Sequence, residues 1–172
     1  AAVIAGQADT GALRLGDADF DPTKFSRRAI DLDGDGKPDA YQFTQVVEGQ
    51  DIVARKEVDV NFDGRIDVIR TFNAKGEIQL ERIDTDFDGR IDVANFFEKG
   101  AIVRKEYDTN FDNRVDVWRF FEEGKIARKE ADLNHDGKID YWEYYENGQL
   151  DRVGVDENGD GDVDNWERAT QS

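Results

Sequence analysis

The 172-residue sequence has no cysteine, no methionine, one histidine and two prolines. Without cysteine there is no disulfide framework, no thiol catalysis and no Cys-ligated zinc or iron–sulfur site. With His135 alone, a His-rich metal site is not expected. Ser26 and Ser172 are the only serines, each near an end of the sequence, so a Ser-His-Asp triad is not expected either. No residue set suggests an enzyme. Apolar runs stay far below the roughly 18 residues of a membrane span, so no transmembrane segment is expected. Basic residues are scarce: 23 against 40 acidic, a formal charge of −17. That balance argues against nucleic acid and anionic membrane surfaces, which need a basic partner. A charged fraction of 37% often means disorder. Here the acids are clustered, and the clusters carry the argument.

One acidic motif occurs six times, as DLDGDGKPD (31–39), DVNFDGRID (59–67), DTDFDGRID (84–92), DTNFDNRVD (108–116), DLNHDGKID (132–140) and DENGDGDVD (156–164). The first aspartates lie 28, 25, 24, 24 and 24 residues apart, the settling period of a stacked structural unit. After each of the first five motifs comes a β-like run (AYQFT, VIRTF, VANFF, VWRFF, YWEYY), then a glycine-bearing turn and a second short run such as AIVRKEY. Each run has about seven residues and is bounded by turn signals, which favours hairpins over helices. The expected fold is all-β: tandem hairpins of about 24 residues in an elongated antiparallel sheet, with the acidic loops along one edge. The expected organisation is a non-repeat segment at 1–30 and a six-copy repeat domain at 31–172, its last copy incomplete. AAVIAG at the start lacks the basic n-region and length of a secretory signal. With no methionine present, the sequence reads as processed or trimmed.

Positions 1, 5 and 9 of the motif are always Asp, position 3 is Asp or Asn, and position 6 is Gly, or Asn113 in the fourth copy. Ca²⁺ takes 6–8 oxygen ligands at about 2.3–2.6 Å. Side chains at 1, 3 and 5 can point inward if the chain wraps an ion, the permissive residue at 6 makes the bend, and a carbonyl at 7 tolerates any side chain. Position 8, usually Ile or Val, would anchor the loop to the apolar layer, and Asp at 9 would close the cage. The candidate ligand sets are Asp31, Asp33, Asp35, Lys37 and Asp39; Asp59, Asn61, Asp63, Arg65 and Asp67; Asp84, Asp86, Asp88, Arg90 and Asp92; Asp108, Asn110, Asp112, Arg114 and Asp116; Asp132, Asn134, Asp136, Lys138 and Asp140; and Asp156, Asn158, Asp160, Asp162 and Asp164. Up to six Ca²⁺ are expected, and a lanthanide would suit the same oxygens. Ligand aspartates make up 20 of the 40 acids. Six divalent ions would bring the formal charge from −17 to −5.

The first half of each loop resembles an EF-hand loop. At the twelfth position, where an EF-hand has a bidentate Glu, stand Gln42, Arg70, Asn95, Arg119, Glu143 and Glu167, and the flanks read as strands. The whole pattern is more similar to the DxDxDGxxD calcium loops of thrombospondin type 3 repeats and of bacterial secreted repeat proteins, whose ninth Asp is a ligand. YYENGQL (144–150) also looks like bacterial MORN-like hairpins. The resemblance implies a calcium-stabilised structural or adhesive module, secreted, periplasmic or on the outer cell surface, with a lipid anchor upstream as one arrangement. A calcium sensor or buffer is the first alternative. A carbohydrate-binding module is the second, using the stripe of Trp118, Trp142 and Trp166 with Phe96, Phe120 and Tyr144. A glycan is thus one candidate partner, and any protein or surface partner is unspecified. The stripe is expected to be core. Phe62, Phe87 and Phe111 at position 4 are expected to pack between loops, His135 to be an exposed loop residue, and the RKE triplets at 55–57, 104–106 and 128–130 to form cross-strand charge ladders on a wet face.

Overall fold

The computed structural model describes residues 20–169. After a 3₁₀ turn at Pro22–Lys24 the chain forms twelve strands: β1 Ser26–Ile30, β2 Ala40–Val47, β3 Gln50–Val58, β4 Val68–Phe72, β5 Ile78–Ile83, β6 Val93–Glu98, β7 Ala101–Tyr107, β8 Val117–Glu122, β9 Lys125–Ala131, β10 Tyr141–Glu146, β11 Gln149–Val155 and β12 Asn165–Arg168. They make one open sheet in sequence order, every neighbour antiparallel. The expected all-β hairpin array is the observed fold. In such a meander alternate connections fall at opposite ends of the strands, so all six acidic loops share one edge. β1 lies ahead of the first acidic loop and pairs with β2. AAVIAG and Ser172 fall outside the described residues.

The opposite edge is made largely of two-residue turns: Glu48-Gly49, Lys99-Gly100, Glu123-Gly124 and Asn147-Gly148. All have positive φ at both positions, 50–53° and then 76–83°. This is the I′ geometry whose twist matches the flanking strands. Each hairpin carries a register shift at the same place, as between Phe96 and Phe97 or Phe120 and Phe121, which adds local twist to the ribbon.

One face holds the core. Ile91, Ala94, Val115 and Trp118 form its centre, flanked by Leu80, Phe96, Phe120 and Ile139. Position 8 of the acidic loops therefore anchors them as expected: Ile91, Val115 and Ile139 drop onto the sheet beside Trp118, which is only 1% exposed. The stripe is core at this point. It opens towards the end of the array, where Trp166 is 46% exposed.

The RKE triplets depart from expectation in part. Arg55, Arg104 and Arg128 pair along their own strands with Glu57, Glu106 and Glu130 (2.6, 3.0 and 3.1 Å). Residues two apart share a face, so each Arg–Glu pair lies on the core face while its middle Lys points to the other. Arg104 and Arg128 stack over Phe96 and Phe120 at 3.9 and 4.1 Å, spreading their apolar stems and charge over the rings. Cross-strand pairs are also made, by Arg70 with Glu81 and by Lys129, the middle residue of the third triplet, with Glu143.

Candidate metal centre

The six acidic loops repeat one hydrogen-bond pattern. In five of them Oδ1 of the first Asp accepts the N–H at position 4, each at 2.7 Å. In all six its Oδ2 accepts the N–H at position 6, at 2.6–3.0 Å. The side-chain oxygen at position 3 accepts the N–H at 5 (2.9–3.1 Å), and that at position 5 accepts the N–H at 7 (2.7–2.9 Å). Asp at position 9 reaches back to the N–H at 2 (2.6–3.1 Å). Thr85 and Thr109 add their hydroxyls to Asp92 and Asp116. Such short polar side chains bind nearby backbone and curl the chain. The positions assigned from sequence as ligands are thus the ones that wrap each loop around its centre.

Position 6 has the positive φ its Gly or Asn suggested, 70–94°. Position 4 has one too, at Phe62, Phe87, Phe111 and His135 (60–65°) as well as at Gly34 and Gly159. Sequence reading missed this, although the glycines of the first and sixth copies were the available signal. Phe62, Phe87 and Phe111 are exposed. His135 Nδ1 lies 3.1 Å from Asp116 Oδ1, which holds the imidazole pKa above its ordinary value.

Neighbouring loops are joined. The N–H of each later first Asp donates to the carbonyl of the preceding ninth Asp: Asp59 to Asp39, Asp84 to Asp67, Asp108 to Asp92, Asp132 to Asp116 and Asp156 to Asp140, at 2.7–3.0 Å. Arg65 Nη1 donates to the Asp88 carbonyl and Lys138 Nζ to that of Gly159, so the variable side chain at position 7 can bridge to the next loop.

This stacking buries charge. Nine loop aspartates are buried among the described residues, against eight buried hydrophobic residues. Burial raises the Asp84 and Asp108 carboxyls above their ordinary pKa, only partly offset by the backbone donors at Gly89 and Phe87 and at Asn113 and Phe111. Burial also raises Asp116, but the Thr109 hydroxyl and N–H and the His135 ring bring it below the usual range. Buried like charges demand a counter-charge.

A cation fits that demand. Carboxylate oxygens of Asp31, Asp33 and Asp39, and of Asp84, Asp86 and Asp88, lie within 4.8 Å of one another. Two ligands of one Ca²⁺ at about 2.4 Å each can be separated by that much. These are the two loops with Asp at position 3. Asp35 and Asp92 stand outside the three-carboxylate groups of their own loops. In three of the loops with Asn at position 3, the amide donates to a ring carboxylate: Asn61 to Asp63, Asn110 to Asp112 and Asn158 to Asp164. Asp67 Oδ1 is the sharpest observation. Its residue is 0% exposed, and this oxygen has no hydrogen-bond partner, which is costly for a carboxylate that finds no cation. The twelfth position is engaged elsewhere: Asn95 donates to Glu81, and Glu143 accepts from Tyr141, Tyr145 and Lys129.

The EF hand family model matches residues 77–94 and 129–145, which contain the third loop with β5 and the start of β6, and the fifth loop with the end of β9 and most of β10. No curated protein is a significant match. Two solved structures are matched over part of their length. One is the crystal structure of a GtfA/B complex (14% identity over 59% of this chain and 19% of that chain, TM-score 0.43). The other is the crystal structure of accessory secretory protein 1, 2 and 3 in Streptococcus pneumoniae (20% identity, 77% and 23% coverage, TM-score 0.45). This chain spans less than a quarter of either matched chain. The aspartate clusters and the EF-hand matches together point to calcium-binding loops, here set between strands where an EF-hand has helices.

Proposed function

We propose that this protein is a calcium-stabilised structural module, in which up to six Ca²⁺ ions hold consecutive β-hairpins in one ribbon that serves as a spacer or adhesive surface outside the cytoplasm. The observation that carries the reading is the buried, unpartnered Asp67 Oδ1 at the ninth position of a loop whose other acidic positions already curl round a common centre. The ligands proposed at positions 1, 3, 5 and 9 are Asp and Asn side-chain oxygens and the one at 7 a backbone carbonyl, the oxygen ligand class of a hard cation. The loops are joined rung to rung, so an ion in one also stiffens its neighbours. Such a constitutive array suits a compartment with abundant calcium, where weak sites stay filled.

The test is a calcium titration of metal-free protein, reading bound calcium by equilibrium dialysis and β-structure by circular dichroism. A structural module gains its sheet signal as several ions bind and is static at millimolar calcium. A conformational switch completed at micromolar calcium would favour the sensor or buffer, and no bound calcium would end the proposal. The glycan reading has less support, because Trp118 is buried under the loop anchors.

A further inference from the structure

The face of the sheet opposite Trp118 carries a run of like charge. Cross-strand neighbours share a face, and Lys105 on β7 pairs with Arg119 on β8, which pairs in turn with Lys129 on β9. Three cations thus stand side by side at the strand spacing of about 4.8 Å, an arrangement that destabilises a bare sheet. The same face shows the opposite solution nearby, where Arg70 pairs with Glu81 across β4 and β5. Among the described residues Lys129 pairs with Glu143, while Lys105 and Arg119 make no ion pair. Arg119 is exposed, and Lys105 and Lys129 are half-buried.

Half-buried tyrosines border this row. Tyr107 stands two residues from Lys105, and Tyr141 and Tyr145 two residues either side of Glu143, so all three share its face. The Arg119 guanidinium lies 5.2 Å from the centre of the Tyr107 ring, and Lys129 Nζ 5.0 Å from that of Tyr141. Glu143 accepts from the Tyr141 and Tyr145 hydroxyls and from Lys129. Burial raises the Glu143 carboxyl, but the Tyr145 hydroxyl, Lys129 and the Tyr141 hydroxyl bring it below its ordinary pKa. The clamp is therefore charged and closed at neutral pH. It fixes two rings and one cation before any ligand arrives, which reduces the ordering cost of binding.

We propose that this face of β7–β10 binds an acidic polysaccharide, with its carboxylates on Lys105, Arg119 and Lys129 and its sugar rings against Tyr107 and Tyr141. A uronic-acid chain carries one carboxylate per ring, and a pyranose ring spans about the 4.8 Å between strands, so successive carboxylates meet successive cations. The guanidinium of Arg119 suits a carboxylate in particular, and the C–H face of a sugar packs on a tyrosine ring as apolar surface. The overall charge of −17 does not oppose a local site. The acidic loop begins at Asp108, three residues beyond Lys105, about 10 Å along an extended strand, and the Debye length at physiological salt is about 8 Å. The inference gives the adhesive surface proposed above a ligand class and rests on that reading only for its place outside the cytoplasm. The site lies on strands, so glycan affinity and bound calcium are separate readouts.

Isothermal titration calorimetry with a galacturonic-acid hexasaccharide, in millimolar calcium, tests this. The wild-type chain is expected to bind it, and to bind uncharged cellohexaose and the peptide hexaglutamate at least about tenfold more weakly. Lys105→Gln and Arg119→Gln are each expected to weaken binding about tenfold, and Tyr107→Ala about fivefold. Lys56→Gln, on the same face but outside the row, is expected to leave it unchanged. Circular dichroism checks that each variant is folded. Amide shifts on the wild-type chain add a readout independent of any substitution, with the largest changes expected on β7–β10. Absence of binding at millimolar hexasaccharide, equal affinity for hexaglutamate, or shifts confined to the acidic loops overturns the proposal.

Discussion

The two edges of this sheet solve the same problem, reversing a strand, by opposite means. On one edge four two-residue turns do it with backbone geometry alone, their X-Gly pairs holding positive φ with no charge requirement. On the other, nine-residue loops use rows of carboxylates that curl the chain by accepting backbone N–H groups and then stack, burying like charges beside one another. The first edge is self-sufficient. The second buries carboxylates that call for a counter-charge, so on the proposed reading any dependence on an external ion falls on one side of the ribbon.

That contrast breaks first at Asp67. Replacing it with Asn keeps a side-chain oxygen for the Val60 and Asn61 N–H groups but removes the charge. In millimolar calcium Asp67→Asn is expected to destabilise by about 3 kcal/mol. In EDTA the sign reverses, because a buried unpaired charge has been deleted. Thermal melts under both conditions check this, and the same sign in both contradicts the role given to Asp67.

A smaller, also sign-reversing effect is expected from pH. Without metal, Asp84, Asp108 and Glu130 have raised pKa values from burial, and His135 is raised chiefly by its bond to Asp116. Groups raised in the folded state add stability that is present at low pH and lost as pH rises through their folded values. The metal-free chain is therefore expected to become more stable from pH 7 down to about pH 5. Asp116 and Glu143 are lowered, and their opposite contribution is lost only below that window. With calcium bound, acid competes with the ion and the trend is expected to run the other way. Melting temperature against pH, with and without EDTA, reads both slopes.

On the turn edge, Gly100→Ala meets no neighbouring atom but keeps a φ of 80°. It is expected to destabilise by about 1 kcal/mol, equally in calcium and in EDTA. Smallest of all is Asn113→Gly, which gives the fourth loop the glycine its equivalents carry at position 6. At a φ of 70° this is expected to stabilise by about 0.5 kcal/mol, read as a small upward shift in urea midpoint.

Most of the fold was legible because each repeat states its local rule several times. Turn glycines, β-branched and aromatic runs and the period of 24 agree with one another. The loop residues were legible for the same reason: fixed Asp at 1, 5 and 9 leaves few other chemistries. What escaped was conformational and lateral. The positive φ at position 4 was masked by phenylalanine, which rarely adopts it. The Arg–Glu pairs lie along one strand on the core face, because the RKE spacing alternates faces and the aromatic rings beside the guanidinium groups supply a partner that charge patterning alone does not reveal. The rungs between loops are backbone bonds, and no side-chain pattern announces them.

The central claim is that cations at the loop edge hold the ribbon together, and the most direct measurement is the thermal midpoint of one preparation before and after exhaustive chelation. The account predicts that EDTA lowers the midpoint steeply or abolishes the cooperative transition, and that calcium restores it. An unchanged midpoint with an unchanged circular dichroism spectrum would contradict it.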